Sequence, residues 1–260
     1  MKKNHPFHLV TKSPWPILSS FSLMTTLIAL INLFNMKQMN FLLISMLTLN
    51  LNLYQWWRDV KRESSLSGDH TYIVKKMIKL GMILFIISEI MFFLSFFWSF
   101  FHSSLAPSFE LGMKWPPKGI QPFNPMEIPL LNTIILVSSG ASITWAHQSM
   151  LTTKFKQSVK SMTITILLGV YFSFLQWWEY LNSTFTITDS TFGSTFFLTT
   201  GFHGIHVIIG TIFIFTALES VVNFKSNLIN HLSMELSAWY WHFVDVVWLF
   251  LYLIMYWWNK

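Results

Sequence analysis

The stretch Met77 to Phe101 limits this chain more than any other. It is apolar throughout except for Lys79 near its start and Glu89 at its centre. Twenty-five helical residues rise about 37 Å, enough to cross the hydrocarbon core of a bilayer. A membrane helix is therefore predicted here, with Glu89 near the midplane. A lone carboxylate at that depth costs roughly 2.5 kcal/mol or more, even on the more lenient insertion scale. Whatever makes that cost tolerable is a first candidate for function.

Composition extends the membrane reading to the whole chain. Of the 260 residues, 53% are hydrophobic and only 11% charged, against about a quarter charged in soluble domains. The net charge of +6 fits basic loops facing an anionic leaflet, so no nucleic-acid partner is predicted. There are no cysteines. That removes disulfides, thiolate metal sites, iron–sulfur clusters, c-type haem attachment and a thiolate-bridged dicopper centre from this chain. The start, MKKNHPFHLVTKSPWP, does not read as a cleavable signal, because His5, Pro6 and Lys12 interrupt any apolar region. A lean towards Phe, Ile, Met, Asn and Lys suggests an AT-rich coding genome, as organelles often have.

Seven spans are predicted, near 15–35, 40–57, 77–101, 127–151, 158–181, 193–217 and 234–258. The fold class is all-α and polytopic. The second span is polar for a membrane helix, with Asn50 and Asn52, and ends at Trp56-Trp57. Seven spans place Lys2, Lys3, Lys12, Arg58, Lys61, Arg62, Lys75, Lys76, Lys79, Lys154, Lys156, Lys160 and Lys225 on one side. Lys37, Lys114, Lys118 and Lys260 fall on the other. Thirteen against four places the N-terminus on the cytoplasmic-equivalent side, which in a mitochondrion is the matrix. The loops are short, so no soluble catalytic domain is expected. The loop from His102 to Met126 carries five prolines and should form a stiff cap.

Several side chains stand out within the spans. Ser138, Ser142 and Ala146, and Thr200 and Gly204 with Gly201 and Gly210 nearby, have the spacing that lets membrane helices approach closely. His203 and His206 are three apart and share a helix face, as do His242 and Asp245. A pair of imidazoles could bind a metal, but few further ligands are available. A buried polar cluster joining helices is the plainer reading. Glu89, His203, His206, His242 and Asp245 all fall near mid-span. They are read as buried protonatable groups, serving either proton handling or helix packing.

The run Tyr54 to His70 is of another kind. Trp56 and Trp57 sit at the basic-side interface, followed by Arg58, Lys61, Arg62 and His70 interleaved with Asp59 and Glu63. Indoles at headgroup level beside basic groups can hold an anionic phospholipid. Ordinary interfacial anchoring with surface ion pairs would look the same.

These segments resemble subunit III of cytochrome c oxidase. The runs that carry the resemblance are SPWP (13–16), YQWWRDV (54–60), SEIMFFLSFFWSFFHSSLAP (88–107), WPPKGI (115–120), LNTIIL (131–136), SITWAH (142–147), GSTFF (193–197), GFHGIHVIIG (201–210) and AWYWHFVDVVWLFLY (238–252). The resemblance implies a seven-helix subunit of the terminal oxidase, which oxidises cytochrome c, reduces dioxygen to water and pumps protons. Residues 1–72 would form an N-terminal segment and two-helix bundle, and 73–260 a five-helix bundle, with a lipid-filled V-shaped cleft between helices 1–2 and 3–7. Haem and copper would belong to partner subunits I and II, leaving this chain no catalytic, cofactor or metal residue. Accessory subunits and bound phospholipids would be further partners.

The same resemblance maps lipid contacts to Trp57, Arg62, Glu63 and His70, and the family's buried helix-three acid to Glu89. It implies a mitochondrial inner membrane protein with its C-terminus in the intermembrane space. Its role would be to stabilise subunit I and support proton uptake. Three departures stand out. Asn230-His231 replaces a usual histidine pair. ALESVVNFK lacks the lipid-holding Arg expected after helix six, leaving Lys225 as a substitute. Gln176-Trp177-Trp178-Glu179 is bulkier than usual and should repack helix five. An independent proton or solute transporter using Glu89 and the midplane histidines is the alternative reading. The chain shows no inverted repeat of the kind many transporters carry.

Overall fold

The computed structural model describes residues 7–109, 112–223 and 231–259. Lys2, Lys3, His5, Pro6, Lys225, Asn230 and Lys260 lie outside the described residues. The described chain is helical with no strand. Its helices are α1 Trp15–Met36, α2 Met39–Arg62, α3 Tyr72–Leu105, α4 Ile128–Leu151, α5 Phe155–Leu181, α6 Thr191–Val222 and α7 Leu232–Leu251. Short π-helical turns, Glu63–Ser67 and Tyr252–Trp257, continue α2 and α7.

Local chemistry sets most of the helix ends. Pro16 in the first turn of α1 and Pro129 in that of α4 occupy positions where a missing N–H costs nothing. The Ser190 hydroxyl caps α6 by accepting from the Gly193 N–H. Gly68, at φ 67°, adopts the left-handed conformation that ends the α2 extension. Only Lys37 and Gln38 separate α1 from α2, so these two helices form a tight hairpin.

Among the described residues, six helices are long and apolar enough to span a bilayer. The exception is α2, where Asn50, Asn52, Gln55 and the charged end at Arg58–Arg62 dilute the apolar residues. Its 24 residues still rise about 36 Å. The observed helices follow the predicted spans, and several run longer, most of all α3, with 34 residues. Its first turns carry Lys75 and Lys76, which extend a helix readily before the apolar stretch begins.

The chain divides into two compact units, Met1–Ile78 and Lys79–Lys260. In the first, the buried residues among those described are all small: Ser22, Thr26 and Ala29 of α1 and Ser45 of α2. The α1 residues recur at helical spacing and allow close backbone approach in lipid. The second unit has an aromatic core. Trp241 is completely buried, and its indole lies against Gly169 of α5 and Gly210 of α6. A Cβ at Gly169 would stand 2.7 Å from the Trp241 ring, and one at Gly210 would stand 2.9 Å from it. The indole N–H donates to Ser139 Oγ at 2.9 Å, tying α7 to α4.

Part of the predicted small-residue packing is corrected here. Ser142 and Ala146 are buried and Ser142 Oγ bonds Thr165 Oγ1 of α5 at 2.7 Å, but Ser138 is exposed. The inward stripe of α4 runs instead through Ser139, Ser142, Ala146 and Ser149. In α6, Gly204 has no neighbour within 4 Å of where its Cβ would be, whereas Gly210 marks the close contact. The bulky pair in α5 turns outward: Trp177 and Trp178 are exposed, while Gln176 and Glu179 face in.

Candidate functional site

Glu89 lies on the side of α3 that meets α6, and its partner there is His206. Glu89 Oε2 stands 2.8 Å from His206 Nε2. The other ring nitrogen, His206 Nδ1, is 2.6 Å from the Phe202 carbonyl oxygen. A carbonyl only accepts, so Nδ1 must carry a hydrogen and donate it. One proton then remains for the Glu89–His206 contact. It sits on the carboxyl, facing a neutral imidazole, or on Nε2, facing a carboxylate. Both arrangements are neutral overall, which removes most of the cost of a solitary buried charge. Around the imidazole stand Phe93, with ring centres 5.1 Å apart, Phe243 at 6.3 Å and Tyr240 at 6.4 Å.

The other mid-span candidates do not converge on this pair. His203 is 1% exposed, with neither ring nitrogen bonded to protein. Its ring is held between Phe172 and Trp248, at 5.7 and 5.2 Å. The three-residue spacing puts both histidines on the inner half of α6. The offset between them is enough for His206 to reach α3 while His203 meets α5 and α7.

His242 and Asp245 form a separate site against α4. His242 Nδ1 is 3.8 Å from Asp245 Oδ2, a charge contact rather than a hydrogen bond. Asp245 Oδ2 fills the space left by Gly140, where a Cβ would come within 2.6 Å of it. His242 also lines a groove of about 300 Å³ with His147, Gln148 and Glu235. Glu235 accepts from Lys79 Nζ at 2.7 Å, an ion pair that joins α7 to α3 and that sequence spacing had no means of finding. Among the described residues, no three His, Asp or Glu side chains group as metal ligands.

The proposed lipid residues lie in the first unit. Glu63 and His70 meet around His8: Glu63 Oε2 is 3.5 Å from His8 Nε2, and the His8 and His70 rings are 5.4 Å apart, edge to face. Thr11 Oγ1 donates to Glu63 Oε1 at 3.2 Å. Burial and the neighbouring His8 push the His70 imidazole below its ordinary pKa. Trp57 is 59% exposed and does not join this cluster. The Arg62 guanidinium is mostly exposed and reaches Asp59 at 3.5 Å. Asp59 is held by the Trp15 indole, which donates at 2.8 Å. Beside His8 opens an apolar groove of about 510 Å³, lined by Phe7, Ile73, Val74, Met77 and Ile78. Half of the mapped set is therefore spent on internal contacts, and half faces outward.

One buried acid escaped the sequence reading. Glu179, near the end of α5, is 1% exposed. Its spacing of three from Gln176, which is also buried, was the available signal, but two exposed tryptophans between them obscured it.

The comparisons with known proteins agree with this architecture. The family model described as cytochrome c oxidase subunit III matches residues 5–260. Cytochrome c oxidase subunit 3 of Locusta migratoria is 54% identical over 259 residues, covering 99% of this chain and 98% of that protein. The protein of the same name from Ornithorhynchus anatinus is 54% identical over 260 residues, 99% of each. That from Aedes aegypti is 53% identical over 257 residues, 99% of this chain and 98% of that protein. With a polytopic helical fold and a match reaching from residue 5 to the last, the chain belongs to the cytochrome c oxidase subunit III family.

Proposed function

We propose that this chain is a non-catalytic core subunit of cytochrome c oxidase, the respiratory complex that oxidises cytochrome c, reduces dioxygen to water and pumps protons. The near full-length similarity to proteins named as its third subunit carries the reading. Haem and copper belong to partner subunits I and II, and this chain stabilises subunit I. It resides in the mitochondrial inner membrane with its N-terminus in the matrix, as the distribution of Lys and Arg suggests. The outward-facing apolar side chains of α3, among them Leu84, Ile87, Met91 and Leu94, suit a lipid or protein neighbour.

Glu89 and His206 act here as a neutral pair that joins α3 to α6 and shares one proton. A carboxyl and an imidazole in hydrogen-bond contact between two membrane helices suit support of proton uptake. Trp57 and Arg62 hold an anionic phospholipid headgroup, with Glu63 and His70 shaping the site through His8. The outward exposure of Trp57 and Arg62 favours this reading, as does the apolar groove, which suits an acyl chain.

Purification in mild detergent tests the assignment. The chain should co-purify with haem-bearing partners. A lone chain that moves protons or solutes in liposomes would overturn it.

A further inference from the structure

We propose that the groove between α4 and α7 is a proton-exchange recess, which admits water from the basic side and passes protons through His242 to Asp245. The proposal deepens the reading of this chain as a support for proton uptake, and rests on that reading only for what the held proton serves. The groove encloses about 300 Å³. A water molecule takes about 30 Å³ in the liquid, so several fit. Thr144, His147, Gln148, Glu235 and His242 line it with polar groups. Lipid tails cannot satisfy such groups, whereas water both donates and accepts.

Position along the helices gives the recess a mouth and an end. His147 and Gln148 lie close to the end of α4, just before Lys154 and Lys156 of the basic loop. Glu235 lies in the first turn of α7. From Glu235 to His242 the helix rises about 10 Å, and to Asp245 about 15 Å. That is about half the thickness of the hydrocarbon core. The other titratable groups stay near the mouth. Glu235 is taken by Lys79 of α3 at 2.7 Å, and the His147 and His231 rings are 5.9 Å apart.

Asp245 is 9% exposed, and its Oδ1 has no hydrogen-bond partner. The His242 ring lines the groove and brings Nδ1 to 3.8 Å from Asp245 Oδ2. Closing that gap by about 1 Å, through side-chain rotation, makes a hydrogen bond. On α4 the carboxyl faces Gly140, which brings no charge. Transfer then uses both nitrogens of the imidazole. A proton from groove water binds one nitrogen while the proton on Nδ1 passes to the carboxylate. The ring ends neutral in its other tautomer, and Asp245 ends as a carboxyl. Reversal returns the proton to the groove and restores the tautomer. The next turn of α7 carries Val247 and Trp248, buried and not protonatable, so the recess stores protons and does not conduct them.

Infrared spectroscopy of the intact oxidase complex tests the proposal. Asp245→Asn identifies the Asp245 carboxyl band by its loss. In the unaltered complex that band should shift promptly on transfer to deuterium oxide. His242→Gln should slow the shift by about a hundredfold, within the usual contribution of a positioned acid–base group. Thr144→Cys, on the exposed rim of the groove, gives a second measurement should a buried variant fail to assemble. A charged, water-soluble thiol reagent should label it, as read from the mass of this chain, which has no native cysteine. An Asp245 band absent at every pH, one that does not shift in deuterium oxide, one that shifts equally fast in His242→Gln, or an unlabelled Thr144→Cys chain would each overturn the proposal. None of these results touches co-purification with haem-bearing partners, so the two readings fail separately.

Discussion

The two units of this chain solve the same problem with different means. The first brings α1 and α2 together through Ser22, Thr26, Ala29 and Ser45, and among its described residues buries no large side chain completely. The second locks Trp241, Trp248, Phe172, Phe192 and Phe196 inside its bundle. Lipid tails are as apolar as a leucine side chain, so helices in a bilayer gain little from apolar burial itself. Close approach and packing contacts must hold them instead. The hairpin relies mainly on closeness, with the Trp15 indole bonded to Asp59 at its basic end. The larger unit adds interlocking rings and interhelical hydrogen bonds, including Trp241 to Ser139, Trp248 to Thr133 and Tyr180 to Thr200. A thin unit with exposed apolar faces is suited to lipid and partners, while a densely packed one can hold buried acids in place.

Removing the central ring of the larger unit gives the sharpest break. Trp241→Ala should cost about 3–5 kcal/mol and lower the thermal unfolding temperature of the purified protein. An unchanged transition would mean that the aromatic core is not what distinguishes the second unit. Next in size, Ala29→Leu should force α1 from α2 at a cost of about 1–3 kcal/mol. Hydrogen exchange should rise within residues 7–78 and stay unchanged in α4 to α7. Exchange spreading through the second unit would erase the contrast.

The buried pair sharpens the comparison chemically. Glu89→Ala should destabilise by about 1–3 kcal/mol, because it leaves His206 Nε2 without its partner. Glu89→Gln should cost less, since its amide can still donate to that nitrogen. In either variant that assembles, the haem spectrum of the complex should persist. Equal losses in the two variants would remove the hydrogen bond as the explanation. In the first unit, Arg62→Ala should weaken anionic lipid retention by about fivefold, following about 1 kcal/mol per basic side chain. Wild-type lipid content in the purified variant would contradict that.

The smallest effect expected is one of pH. His70 has a folded pKa below its ordinary value of 6.5, so folding favours the neutral ring. Its contribution is present above about pH 6.5 and is lost as pH falls through the lowered folded value. Glu63 and Asp69 oppose this shift, whereas His8 and Lys75 reinforce it. Acidification should therefore loosen the contact of residues 7–13 with Glu63 and His70 before α4 to α7 respond, as hydrogen exchange would show. Simultaneous loosening of both would assign the change to another group.

How far the chain could be read depended on the kind of feature. The spans were legible because runs of apolar residues have no other use at that length; their ends were less so, since the caps at Pro129 and Ser190 act locally and several helices extend beyond the apolar runs. The five mid-span polar residues were legible as a set, since each is costly in lipid. Their grouping was not. Spacing of three made His203 and His206 look like one site, yet a turn of less than a third around the helix axis sends them to different neighbours. Ser138 failed in the same way: its neighbour Ser139 faces inward, and a one-residue shift on a helix moves a side chain by about 100°.

The residues alone therefore determined that this is a polytopic helical membrane protein with basic loops, no cysteine chemistry and a mid-span acid in need of relief. Those conclusions follow from composition and one-dimensional order, because a bilayer tests every segment against the same solvent. The tertiary structure decided that Glu89 is relieved by His206 and not by His203 or His242. It also turned Glu179 inward while its tryptophan neighbours face out. These outcomes depend on the rotation of each helix about its own axis. That rotation is set by packing between segments far apart in the chain, for which a single sequence carries no local signal.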